Sequence, residues 1–395
     1  MGSTLLIKNC KTMVDAFQNT FDVLIEKNVI KQVTEKEINI DNIKTLNAQG
    51  KHLLPGLIDC HVHLILDGSP DTIEYVEKNS VQRLIEVAEK NALTTLQHGI
   101  TTVRDMGCTD FIVPKLREKI KKGQTKGPRI IAAGYMITRK KGHVKGIARE
   151  IKDEKDMKKA VNEQKHGGSD FIKLIVSGGL LTPGSKPADT ELNKPLINTA
   201  VKEATKHGLK TAVHVYSDRD TKNALDVNVW SIEHASYASA KTLKKAAEKK
   251  VFLVPTLKAA YNILENADSL PKHVVENANH VIKAAKKTIP DAVKQGVPIA
   301  MGTDAGTPFN HHGENAMELH YLSEMGLTNE KLIETATINP AKLLGLHKTL
   351  GKVEKGYRAD LLILKTNPLD DINALNTGIE YVIKDGEIIK SSRSL

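Results

Sequence analysis

Residues 53–64 read LLPGLIDCHVHL, an apolar run that ends on His61 and His63, one residue apart. A β-strand turns alternate side chains to opposite faces, so residues i and i+2 point the same way and both imidazoles can reach one point. That is metal-ligand geometry. A His-x-His pair on its own also serves for hydrogen bonding or hydration, so the decision lies with the rest of the chain.

Seven further runs rich in Val, Ile and Leu follow it: ITTVRDMG from Ile100, RIIAAG from Arg129, DFIKLIV from Asp170, KTAVHVY from Lys210, SIEHAS from Ser231, VFLVPTL from Val251 and PIAMGTD from Pro298. Between them lie amphipathic stretches with apolar residues at helical spacing and a closing Gly, such as VQRLIEVAEKNALTTLQHG from Val81 and NKPLINTAVKEATKHG from Asn193. Strand-helix alternation repeated in this way predicts an α/β fold, a (β/α)8 TIM barrel over residues 53–348. A doubly wound sheet is the structural alternative, but no G-x-G-x-x-G turn follows the first strand. The two ends, 1–52 and 349–395, read as short β pieces, and two such halves can complete one small β-sandwich. In NPAKLLGL, Asn339 is placed to cap a helix that begins at Pro340.

The chain has 395 residues, enough for a barrel of about 250 residues with an accessory domain. No segment approaches the roughly 20 apolar residues of a membrane span, and the N-terminus MGSTLLIKNCKTMV lacks the basic-then-apolar layout of a secretion signal. No membrane association is expected. Cys10, Cys60 and Cys108 are widely spaced and odd in number, which argues against disulfides or a thiolate metal site and for a cytoplasmic protein. The net charge of +10 is mostly lysine spread over helical stretches such as SAKTLKKAAEKK, and aromatic residues make up 4%. That is a solvated helix face with little on which to stack bases, so no nucleic-acid partner is expected.

Polar residues near the C-terminal ends of the runs form a short set: His61 and His63 from the first, Lys173 from the fourth, His214 from the fifth, His234 from the sixth and Asp304 from the eighth. Loops at that face of a barrel build its active site. Taken singly, the two later histidines could be core residues, Lys173 an ion-pair partner and Asp304 a turn cap. Together they supply four imidazoles and a carboxylate, donors that zinc, manganese or iron accept. An ammonium cannot coordinate a cation, so in such a cluster Lys173 must be deprotonated or chemically changed.

In this order the six residues resemble the metal site of the amidohydrolase superfamily, and the resemblance extends over the flanking β halves and the NPAKLLGL and GKVEKGYRADLLIL tail. It implies two zinc or other divalent ions per chain: His61, His63 and Asp304 on one, His214 and His234 on the other, and Lys173, carboxylated by CO2 to a carbamate, bridging them. Within the superfamily the chain looks most like the imidazolonepropionase-like branch of dipeptidases and carboxypeptidases, which includes prolidase-like and arginine or lysine carboxypeptidase members. Tyr216 in HVYS resembles the tyrosine that binds a substrate's α-carboxylate. His143 in RKKGHVKG resembles the histidine that polarises the scissile carbonyl, although Lys141 stands where a second glycine is usual.

The resemblance implies hydrolysis of an amide in a small peptide or N-acyl amino acid, with Asp304 moving the proton, His143 facing the oxyanion and a C-terminal amino acid released. Arginine or lysine is the leaving residue it favours, with an Xaa-Pro dipeptidase or a cyclic-amide hydrolase or deaminase as alternatives. Asp218 and Glu314 are the acids available to pair with a basic side chain. A homo-oligomer is expected.

Overall fold

The structure, a computed structural model, describes residues 4–391. Five strands open the chain: Thr4–Thr12 (β1), Thr20–Glu26 (β2), Val29–Thr34 (β3), Lys44–Asn47 (β4) and His52–Pro55 (β5). The run 53–64 therefore serves two strands, because after β5 it continues as Leu57–Val62 (β6). The division falls at Gly56, where a Cβ would stand 2.2 Å from Thr101 Oγ1. Only a residue without a side chain lets the backbone pass there.

From β6 onward come Ile100–Asp105 (β7), Arg129–Ala132 (β8), Met136–Arg139 (β9), Ala148–Ile151 (β10), Phe171–Ile175 (β11), Lys210–Val215 (β12), Ser231–His234 (β13) and Phe252–Val254 (β14). All pair in parallel, in a sheet ordered β6-β7-β8 and a second ordered β10-β9-β11-β12-β13-β14. Both faces of such strands are covered, which is why they read as continuous apolar runs instead of alternating ones. Helices alternate with them, among them Val81–Gln97, Lys194–Lys206, Asp218–Asp226 and Ala240–Glu248, capped respectively by Ser80, Asn193, Ser217 and Ser239.

The eighth apolar run is not a regular strand. It makes isolated parallel bridges, Ile299 to Leu253 and Ala305 to Val62. Its backbone is bonded on one side to β14 (Ala300 N to Leu253 O, 3.0 Å) and on the other to β6 (Cys60 N to Met301 O, 2.8 Å; His63 N to Ala305 O, 2.9 Å). Two features interrupt the ladder: Pro298 has no N–H, and Asp304 takes a left-handed φ of 59°. Parallel strands flanked by helices, with this segment between β14 and β6, make a TIM-barrel-like mixed α/β fold. Asn339 lies inside the helix Ile338–Leu343 rather than capping it, and its amide donates to Ile299 O at 3.0 Å, tethering the same segment.

The chain ends in Leu361–Leu364 (β15), Ile379–Lys384 (β16) and Glu387–Ser391 (β17). These join the first strands in one hydrogen-bonded sheet of order β17-β16-β15-β5-β1-β2-β3, with β4 alongside β1. The seam is β5 against β15, antiparallel, with Leu54 opposite Leu362. Leu5, Ile7, Val23, Ile25, Leu53, Leu361, Ile363 and Ile383 form this sheet's own core.

Candidate metal centre

Asp59, in β6, sets the position of the first two histidines. Its carboxylate accepts the N–H of His61 (3.0 Å), the hydroxyl of Thr303 (2.7 Å) and the amide of Asn315 (2.8 Å), tying β6 to the eighth segment. Asp304 N also donates to His61 O at 2.7 Å. The result is three ligand atoms together: Nε2 of His61 and Nε2 of His63 each lie 3.3 Å from Asp304 Oδ1. One donor atom from each of these residues falls within 4.8 Å of the others.

The remaining ring nitrogens of that pair are occupied. His61 Nδ1 lies 3.0 Å from Glu233 Oε2, and His63 Nδ1 lies 3.2 Å from Gly107 O. Glu233 in turn receives both N–H bonds of Arg104 Nη2 at 2.9 Å, and both side chains are fully buried. Burial pushes the Glu233 carboxyl up, but Arg104 and His61 outweigh it and hold it down at about 2. A carboxylate behind a ligating imidazole fixes its tautomer and orientation.

Next to this group stand His214, His234 and Lys173. The His214 and His234 rings are 4.5 Å apart, and His234 lies 5.2 Å from His61. His214 Nε2 reaches Gly178 O at 3.0 Å, which leaves Nδ1, while His234 Nδ1 reaches Thr256 Oγ1 at 2.6 Å, which leaves Nε2. His234, Thr256 and Asp304 all have left-handed φ (67°, 55° and 59°), a conformation that non-glycine residues rarely adopt unless their surroundings impose it.

Two polar atoms here are buried without any hydrogen-bond partner: Lys173 Nζ and His234 Nε2. An unpartnered buried polar atom costs about 1–3 kcal/mol, so the bare His234 Nε2 beside one carboxylate and three more imidazoles calls for a cation, and Lys173 Nζ could share it only as an uncharged or chemically changed group. The donors fit one. Burial first, then neighbouring positive groups, holds His214 and His234 well below the usual histidine range, in the neutral form that ligates. Burial raises the Asp304 carboxyl, yet His61 and His63 more than reverse it and keep it ionised. Lys173 is pushed down to about 8 by burial. The cysteines take no part: all three are buried and unpaired, with their thiols pushed up by burial.

His143 and Tyr216 line the same cavity, about 580 Å³ including its open mouth, as do His61, His63, Lys173, His214 and Asp304. The Tyr216 ring stacks on His234 at 4.9 Å. His143, whose Nδ1 is 2.8 Å from Thr182 Oγ1, sits with its ring 5.1 Å from His214. Burial lowers His143 to about 4, so it is neutral. Apart from Thr307 the other walls are apolar, formed by Leu66, Ile73, Met136, Val144, Ile147, Ile175, Leu180, Leu181, Ala259 and Ile263.

Asp218 and Glu314 do not reach this cavity. Asp218 accepts the N–H of Ser239 at 2.7 Å, and Glu314 pairs with Lys258 at 3.2 Å along a different cleft. Glu233, Arg104, Asp59 and Thr256 are the supporting residues that sequence reasoning missed. Glu233, Arg104 and Asp59 carried a signal, a charged residue inside an apolar run.

The amidohydrolase family profile matches residues 52–389, a span that contains every residue of this centre. The chain belongs to the amidohydrolase family. Family members are hydrolases, and the possible His61, His63, Asp304 metal site agrees with their usual need for divalent ions. The chain is 26% identical over 374 residues to the ochratoxinase of Aspergillus niger, covering 86% of this chain and 75% of that protein. It is 24% identical to the imidazolonepropionase of Shouchella clausii, covering 88% and 78%. Among solved structures, a Xaa-Pro dipeptidase with methionine bound in its active site superposes with a TM-score of 0.89 at 28% identity, over 98% of this chain and 99% of that one. Among the described residues no helix is long and apolar enough to cross a membrane.

Proposed function

We propose that this amidohydrolase cleaves the amide bond of a dipeptide or N-acyl amino acid and releases the C-terminal amino acid. The observation that carries the reading is the meeting of the unpartnered Lys173 Nζ with the His61, His63 and Asp304 donors in one cavity, with the unpartnered His234 Nε2 on a ring 5.2 Å from His61. His61, His63 and Asp304 would hold one divalent ion, zinc by the donor set, and His214 and His234 a second. Bound there, the ions would lower the pKa of water toward neutrality and polarise the scissile carbonyl. Lys173 would bridge them as a carbamate: the neutral amine forms its N–C bond to CO2 and loses one N–H proton, giving an anion where an ammonium would repel.

The chain's own residues do the rest. Asp304, ionised, takes the proton of the attacking water and returns it to the departing amine. His143, neutral with Nδ1 engaged by Thr182, turns Nε2 to the developing oxyanion. Tyr216 donates its phenol to the α-carboxylate of the leaving residue.

The apolar walls support a leaving residue with an apolar side chain, proline included, over arginine or lysine, because Asp218 and Glu314 are engaged elsewhere. The test is release of free amino acid by zinc-loaded protein from N-acetyl-Phe, -Leu, -Pro, -Arg and -Lys and from matching dipeptides. Turnover of the apolar members at least tenfold above the basic ones is expected. Preference for Arg and Lys would overturn the side-chain reading, and no release from any substrate by a protein shown to hold two zinc ions would overturn the reaction.

A further inference from the structure

Thr256 occupies the N-cap position of the helix Leu257–Glu265 yet makes no capping bond. A threonine there ordinarily turns its hydroxyl to an N–H two or three residues on. The job is done instead from another helix. Glu318, in Met317–Glu324, is fully buried, and its two carboxylate oxygens accept Leu257 N at 2.9 Å and Lys258 N at 2.7 Å. Burial pushes the Glu318 carboxyl up to about 8, while the Lys258 and Leu257 N–H groups pull it down toward the ionised form, which suits the positive end of a helix. With the free N–H groups satisfied, Thr256 Oγ1 points to His234 Nδ1 at 2.6 Å. Thr256 is β-branched and buried with a φ of 55°, a backbone state that such residues avoid unless their surroundings impose it.

We propose that Glu318 is a positioning residue for the metal ligand His234: by capping the 257–265 helix in place of Thr256, it frees the Thr256 hydroxyl to receive the His234 Nδ1–H and so turns the bare Nε2 into the site. The inference rests on the two-ion reading given above. Were Thr256 to cap its own helix, His234 would lose the contact that fixes its tautomer and ring plane. The span from Glu318 to the metal-facing nitrogen crosses three separate segments, and each step is a hydrogen bond or a shared backbone.

The test measures zinc affinity by competition with a chromophoric chelator on the full chain, together with the melting temperature of the metal-free protein. Wild type is expected to bind two zinc ions. Thr256→Val is expected to weaken one of them about tenfold to a hundredfold, the usual effect of removing such a partner, with Thr256→Ser close to wild type. Glu318→Gln keeps the shape but sets an amide NH2 against one helix N–H, and is expected to weaken the same ion severalfold and to lower kcat more than it raises KM. A merely structural role would lower the metal-free melting temperature and leave zinc affinity and the kcat-to-KM pattern unchanged, and that result would overturn the proposal. So would Thr256→Ser as impaired as Thr256→Val. If wild type binds fewer than two ions, the two-ion reading falls and this inference with it; two tight ions in wild type, Thr256→Val and Glu318→Gln alike sink this inference alone.

Discussion

Glu233 Oε2 lies 3.0 Å from Nδ1 of His61, and the same carboxylate neutralises the fully buried Arg104. One side chain therefore orients a metal-facing imidazole and balances a charge that has no access to water. Glu233→Gln should do two kinds of damage. Zinc affinity should fall about tenfold to a hundredfold, as seen when such partners are removed. Stability should drop by about 3–5 kcal/mol, because Arg104 is left as an uncompensated buried charge. Replacing both, Glu233→Gln with Arg104→Met, should recover stability in urea unfolding without recovering zinc affinity. Recovery of both together would show that the carboxylate has no separate role at His61.

Lys173→Ala should be nearly inactive, and millimolar short-chain carboxylic acids should restore part of the activity by standing in for the carbamate. A crystal structure showing an unmodified Lys173 directed away from the ions would sink the bridge.

Tyr216→Phe removes the phenol and keeps the ring that stacks on His234. If the hydroxyl binds the α-carboxylate uniformly, KM should rise with kcat unchanged; if it also orients the scissile bond, kcat should fall. C-terminal amides should be poor substrates for wild type. Amides cleaved as fast as free acids would remove the carboxylate contact from the account.

His143 and His312 are both lowered to about 4, burial being the main cause. His312 uses both ring nitrogens while neutral, contacting Thr95 Oγ1 at 3.0 Å and His63 O at 3.2 Å. An unfolded chain protonates such rings near pH 6.5, so between there and about 4 the unfolded state binds more protons and stability falls as the pH drops. The metal-free protein should therefore lose melting temperature across that window, and His312→Gln should flatten the slope. Equal slopes in the two proteins would show that His312 does not titrate in this way.

At Gly302 a Cβ would stand 2.3 Å from Val254 Cγ1 and 2.8 Å from His61 Cβ. Gly302→Ala should cost about 1–3 kcal/mol through overpacking, and should weaken zinc binding because the neighbour that must shift is a ligand. Wild-type urea and zinc titrations from this variant would contradict the close approach.

The six ligand candidates were visible because each rests on a local signal, a polar residue within or at the end of an apolar run. What supports them was hidden, because it depends on contacts across the fold. Arg104 and Glu233 sit 129 residues apart in sequence, and a charged residue in an apolar run says that a partner exists without saying which. Glu318 had no signal at all, since a carboxylate in a helix ordinarily faces water. Asp218 and Glu314 failed for the same reason in reverse: their partners Ser239 and Lys258 are settled by how segments pack, so loop position alone could not tell a free acid from a used one. In the eighth run, Pro298 was visible, but the left-handed turn at Asp304 and its carboxylate's approach to His61 and His63 had no local mark.

The seam between β5 and β15 has a consequence for how the chain is made. His52–Pro55 emerges from the ribosome early, but the strand that covers its second edge, Leu361–Leu364, follows only after about 300 more residues. Until then the N-terminal strands expose an edge able to recruit a strand from another nascent chain. Every metal-site residue lies between these two strands, so the whole centre is synthesised before the sheet beneath it is complete. Docking of the last strands is then the late, long-range step of folding, and truncations within 361–391 should yield aggregation-prone protein even though they remove no residue of the site.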